Sequence, residues 1–149
     1  MKARHIAFSL VLFALLTSCN NEKKAQLAAE QALRDEVMVI HDEVMPMMGE
    51  LTNLAGQLKQ VVQSDSTLDS AFLAQINQTV DKMVLAEEGM MDWMSVFKQP
   101  DFLRDTMAHQ AIMDYLAAEK EKIAGVGEQI KTGITEGKAL LEQYRKEAQ

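Results

Sequence analysis

Large apolar residues recur at Leu33, Val37, Ile40, Val44, Met47, Leu51, Leu54, Leu58 and Val61, in alternating steps of four and three. A half-buried strand would alternate at two. Steps of four and three instead keep one face of an α-helix, and predict a helix whose apolar stripe runs about 42 Å at 1.5 Å per residue. The polar run "QSDST" (Gln63 to Thr67) ends it, with Asp65 or Ser66 placed to cap the next helix. A second stripe passes through Leu73, Ile76, Val80, Met83, Glu87, Met90, Met94 and Phe97. It stops at "KQPD", where Pro100 forbids simple continuation. From Phe102 onward a third stripe reads His109, Ile112, Leu116, Glu119, Ile123, Val126, Ile130, Gly133, Gly137, Leu140 and Tyr144. Three long helices with two short breaks predict an all-α fold, an antiparallel three-helix bundle with coiled-coil-like heptad stripes. Helices of roughly 30 to 40 residues would make a rod roughly 45 to 60 Å long.

Several residues interrupt these stripes. Pro46, within "HDEVMPMMGE", cannot donate to the carbonyl of Asp42 and is expected to kink the first helix. Gly133 and Gly137 lie on the third stripe although each glycine costs about 1 kcal/mol against alanine in a helix interior. Close helix packing would account for them, with Phe72 filling the space if the chain folds back at residue 101. Glu87, His109 and Glu119 occupy core positions, where a polar group lowers stability unless it is paired.

The N-terminus carries an address. Lys2 and Arg4 precede an apolar run from Ile6 to Leu16, followed by Leu16-Thr17-Ser18-Cys19. A positive region, a short apolar core and small residues before a cut site describe a secretory signal. The run is too short to span a bilayer, which takes about 20 apolar residues. The tetrapeptide "LTSC" resembles the lipobox of bacterial lipoproteins. That resemblance implies that residues 1–18 are removed and that Cys19 becomes a lipidated N-terminus. Residues 19–32, "CNNEKKAQLAAEQA", are then expected to form a tether, and residues 33–149 the helical body.

Composition narrows the function. Cys19 is the only cysteine, so once lipidated it leaves no disulfide, thiolate ligand or cysteine nucleophile. Loss of Lys2 and Arg4 with the signal moves the formal charge from -7 to -9. A small acidic body argues against nucleic acid as a partner, and membrane attachment would rest on the lipid.

Candidate chemistry sits near the middle of the first helix. Met38, His41, Met45 and Met48 form a flanking stripe. Turns at residues 65 and 101 would set His41 level with Gly89 and position 113, placing both body histidines in one layer with Glu87. A metal site follows as one expectation: His41, His109 and Glu87 as ligands, with Met90, Met94, Met45 or Met113 as thioethers. Imidazole suits several transition metals and thioether sulfur selects Cu(I). The competing expectation is that methionine packs irregular space beside the proline. Neither a His-Glu-x-x-His run nor the Glu-x-x-His pairs of di-iron bundles occur in the chain, so catalysis is not expected.

Trp93, the single tryptophan, flanks the second stripe and with Phe97 is a candidate contact for a protein partner; otherwise it is a ring between helices. "HDEVMP" together with "MMDWM" and "FKQP" resembles segments of short helical bacterial lipoproteins, some of which carry the label "viral A-type inclusion protein". That label reflects coiled-coil similarity, and the resemblance implies no activity. The chain is thus expected to be an exported, lipid-anchored envelope protein, on the outer membrane facing periplasm or cell surface. Its expected role is a non-catalytic interaction or structural module, the alternative being a Cu(I)-type metal-binding lipoprotein.

Overall fold

The first stripe folds into two helical segments, α1 (Lys2–Val44) and α2 (Met48–Ser64), joined through a single 3-10 turn at Met45–Met47. In this computed structural model the backbone is described for residues 2–147 and the side chains for residues 21–147. Pro46 explains the turn: lacking an N–H, it lets the helix tighten to shorter hydrogen bonds, and Met48 N–H donates to the Met45 carbonyl. Val44, Met47 and Met48 keep right-handed helical angles, so the helix tightens there without ending. A stripe with a seven-residue repeat falls behind a straight α-helix by about 20° per repeat. Three residues wound at about 120° instead of 100° recover about 60°. Val37 and Val44 before the turn, and Leu51, Leu54, Leu58 and Val61 after it, are all buried.

The helix α3 (Ser70–Val96) begins at Asp69, whose carboxylate accepts from the N–H groups of Ala71 at 2.8 Å and Phe72 at 3.1 Å. The cap is therefore Asp69, beyond both expected positions, Asp65 and Ser66. Asp65 instead closes α2 and accepts from the N–H and hydroxyl of Thr67. Along α3 the buried residues are Phe72, Ile76, Thr79, Val80, Met83, Ala86, Met90 and Trp93. The buried row is displaced by one position from Leu73, Glu87 and Met94, which are half-buried. The displacement buries Ala86 and Trp93 and leaves Glu87 only half-buried, which lowers the cost of desolvating its carboxylate.

The helix α4 (His109–Glu147) runs alongside both. Its direction is written in its ion pairs with the first rod: Glu36 with Lys120 at 2.6 Å, Glu43 with Lys131 at 2.8 Å and Glu50 with Lys138 at 2.6 Å. Both numbers rise together, so the first rod and α4 run the same way; α3 packs against both and runs in the opposite direction, Lys82 meeting Glu136 and Gly89 lying beside Val126. Exposed pairs of this kind contribute little each. The result is an all-α fold of three long helical rods packed together, with no strand among the described residues.

Between α3 and α4 the chain takes a longer path than a turn at 101 implies. Residues 97–108 include a 3-10 turn at Pro100–Phe102 and bury Pro100 and Leu103. Lys82 consequently meets Glu136 at 3.0 Å, where a tight turn would have set it level with residue 120. Gly133 and Gly137 are points of close approach, as expected, but Phe72 is not the residue they admit. A Cβ on Gly133 would lie 3.0 Å from Leu51 Cδ1 and 3.2 Å from Met83 Cγ, and one on Gly137 would collide with the Met83 methyl. The twelve-residue connection moved the register and put Met83 there.

The packed body also starts earlier than residue 33. Glu30, assigned to the tether by the sequence pattern, is only 3 % exposed. Residues 1–18 and Cys19, with their signal and lipidation assignments, lie outside the residues whose side chains are described. Among the described residues no helix is long and apolar enough to cross a membrane.

Candidate functional site

Glu30 is buried where the side chains of Arg104 and His109 converge on its carboxylate. Arg104 Nε donates to Glu30 Oε2 at 2.7 Å, and His109 Nδ1 lies 2.9 Å from Glu30 Oε1. Asp101 also pairs with Arg104. Burial raises the Glu30 pKa, but the hydrogen bonds and charges of His109 and Arg104 outweigh it and hold the carboxyl below its usual range. The same pairing raises the pKa of Arg104. This cluster joins α1, the 97–108 connection and the first turn of α4.

His109 is therefore partnered by Glu30 and not by Glu87. It also lies in a different layer from His41. Eleven residues of α1 separate Glu30 from His41, about 16 Å along the axis. The structure brings His41 to Trp93 instead, ring centroids 5.6 Å apart. The first registry, His41 with the segment 87–94, holds; the second, His41 with His109, does not, because the long connection carries the start of α4 past the end of α3. The His41 Nδ1 is 2.9 Å from Asp42 Oδ1. Met90 is fully buried, while Met45, Met94 and Met113 are half-buried, with Met45 and Met94 packed against the main core. Among the described residues no group of three or more His, Cys, Asp and Glu side chains is placed to hold a metal ion.

Trp93 is 6 % exposed and belongs to a line of rings. It stacks on Phe97 at 4.7 Å, and Phe97 faces Tyr115 at 6.3 Å. Tyr115 Oη accepts from the Lys98 N–H at 2.8 Å, and burial raises its pKa. Trp93 and the half-buried Phe97 therefore serve first as packing between helices. Phe97 packs against both the main core and a smaller cluster of Leu103, Ile112 and Leu116.

The surface feature that periodicity did not reveal is a seam between α3 and α4. One groove of about 570 Å³ is lined by Trp93, Val96, Glu119, Lys122 and Gly125 among others. A second, of about 320 Å³, includes Lys82, Leu85, Thr132 and Gly133, and the two share Gln129. Leu85 and Val96, 64 % and 62 % exposed, stand eleven residues apart along α3, nearly the same helix face. The clue in the sequence was a pair of off-stripe glycines, Gly89 and Gly125, which leave the first groove open.

Comparison with protein-family models, curated proteins and solved structures found no match.

Proposed function

We propose that this chain is an exported lipoprotein, anchored in the cell envelope through a lipid on Cys19, whose helical body is a non-catalytic interaction module. On this reading the three rods pack as an antiparallel, coiled-coil-like bundle. They hold a surface rigid, and the lipid sets its distance from the membrane, the outer membrane facing periplasm or cell surface. The observation that carries it is the α3–α4 seam, where Leu85 and Val96 expose large apolar side chains on one face beside two adjoining grooves. Exposed apolar side chains gathered along a groove mark contact surfaces more often than scattered ones do. A bundle face with such a groove suits a partner helix or an extended segment.

Two measurements test the two halves of the proposal. Palmitate labelling in the native host should mark the wild-type protein and not Cys19→Ala; label on the variant would sink the anchor. A photo-reactive residue at position 85 or 96 should cross-link one protein partner in intact cells, whereas one at position 91, exposed but about 120° round α3 from that face and outside both grooves, should not. Equal adducts at all three would overturn the seam as the contact surface.

A further inference from the structure

Two residues that line the larger groove each carry a buried polar atom with no hydrogen-bond partner among the described residues: Glu119 Oε2 and Trp93 Nε1. Both residues line the same space. Glu119 is 3 % exposed, and its other oxygen accepts from Lys122 Nζ at 2.6 Å. A buried polar atom left without a partner costs about 1 to 3 kcal/mol, so two in one groove call for a ligand or a compensating group. Neither is explained by the ion pair that Lys122 makes, which uses only Oε1.

The chemistry of the pair restricts what would satisfy it. A carboxylate oxygen only accepts and an indole N–H only donates. A ligand reaching both must carry a donor for Glu119 and an acceptor for Trp93. Charge adds a sign: Asp92, Glu119 and Glu121 line the groove against a single cation, Lys122. The floor is left bare by glycine, since a Cβ on Gly125 would meet nothing within 4 Å and one on Gly89 would reach only Val126, at 3.5 Å.

We propose that the α3–α4 groove is a binding site for a small amino alcohol: its ammonium donates to Glu119 Oε2, and its hydroxyl oxygen accepts from Trp93 Nε1. Binding requires side-chain adjustments of both Glu119 and Trp93 that open Oε2 and Nε1 to the groove, while Lys122 remains on Oε1. An amino sugar carries the same pair of groups on adjacent carbons and is the larger member of the class that the volume admits. The site lies in the groove that the interaction reading gives to a partner, so the two would compete for it, but binding of the amino alcohol requires neither the lipid nor that partner.

The single tryptophan makes the test direct. Trp93 emission of the purified protein is followed during titration with ethanolamine and with glucosamine, and in parallel with ethylammonium, which lacks the oxygen, and ethylene glycol, which lacks the charge. Saturable shifts with ethanolamine and glucosamine are expected, weaker by about tenfold with ethylammonium and absent with the glycol. Glu119→Gln keeps the shape and removes the charge, and should weaken binding by about tenfold or more. Gly125→Leu fills the open floor and should abolish binding while circular dichroism shows the fold intact. No saturable shift with either amino alcohol at millimolar concentration, or affinity unchanged in both variants, would overturn the site.

Discussion

Arg104 Nε lies 2.7 Å from Glu30 Oε2, joining a residue that the sequence pattern placed at the start of the third helix to one that it assigned to a tether. The pair ties the connection between α3 and α4 back onto α1, and His109 completes it at 2.9 Å. Breaking one side of a buried pair leaves a charge without its counterion. Arg104→Met should therefore destabilise the protein by about 2 kcal/mol, less than for a fully dry pair because part of Arg104 faces water. Exchanging both partners, Glu30→Leu with Arg104→Met, should recover most of that loss. Urea denaturation of the two single variants, Arg104→Met and Glu30→Leu, and of the double variant checks it, and additive losses in the double variant would disprove the coupling.

The same carboxylate predicts an acid dependence. Its folded pKa lies below the ordinary glutamate value of 4.5. A depressed folded value means that the contribution is fully present above the unfolded pKa and is lost as pH falls from about 4.5 through the folded value. Melting temperature measured against pH should fall more steeply below pH 4.5 for the wild type than for Glu30→Gln. Parallel curves would show that Glu30 gains nothing from its partners.

Glycine substitutions on α4 should separate by position. At Gly125 a Cβ meets open space, so Gly125→Ala gains helix propensity, about 1 kcal/mol, at no steric cost. At Gly137 the new methyl collides with the Met83 methyl, whose residue is fully buried. Gly137→Ala should therefore be neutral to destabilising by about 1 kcal/mol, the propensity gain set against a displaced side chain. In a Met83→Val background, where that methyl is gone, Gly137→Ala should become favourable. A double-mutant cycle reads the sign directly.

How far the sequence carried can be traced through these residues. The four-and-three spacing located the three rods because burial of one helix face imposes that period wherever the core is apolar. It also located Pro46, since a missing N–H has one local consequence. The spacing could not tell Phe72, Ala86 and Trp93 from the row one residue later, because both rows are largely apolar and differ by only 100° around α3. Nor could it place Glu30 against Arg104, or His109 away from His41. Those positions depend on how residues 97–108 fold, and Pro100 and Leu103 are buried there by tertiary contact that leaves no periodic trace. The groove depends on the same register. Gly89 and Gly125 become neighbours of one space only once α4 is set against α3.

Phe97 offers the last test of this arrangement. Its ring stacks on Trp93 above and faces Tyr115 below, and it packs against both the main core and the Leu103, Ile112 and Leu116 cluster. Truncation of a half-buried ring at such a junction should cost about 2 to 3 kcal/mol, somewhat below the range for a fully buried phenylalanine. The distribution of the loss matters more than its size. If Phe97 couples the two clusters, Phe97→Ala should raise hydrogen exchange selectively in residues 97–108 and the first turns of α4, while the amides around Met83 and Leu51 keep their protection. Unfolding followed by Trp93 fluorescence and by circular dichroism should then cease to coincide. A uniform rise in exchange along α3 and α4, with both probes still coincident, would mean that the bundle melts as one unit and that Phe97 is only one contact among many.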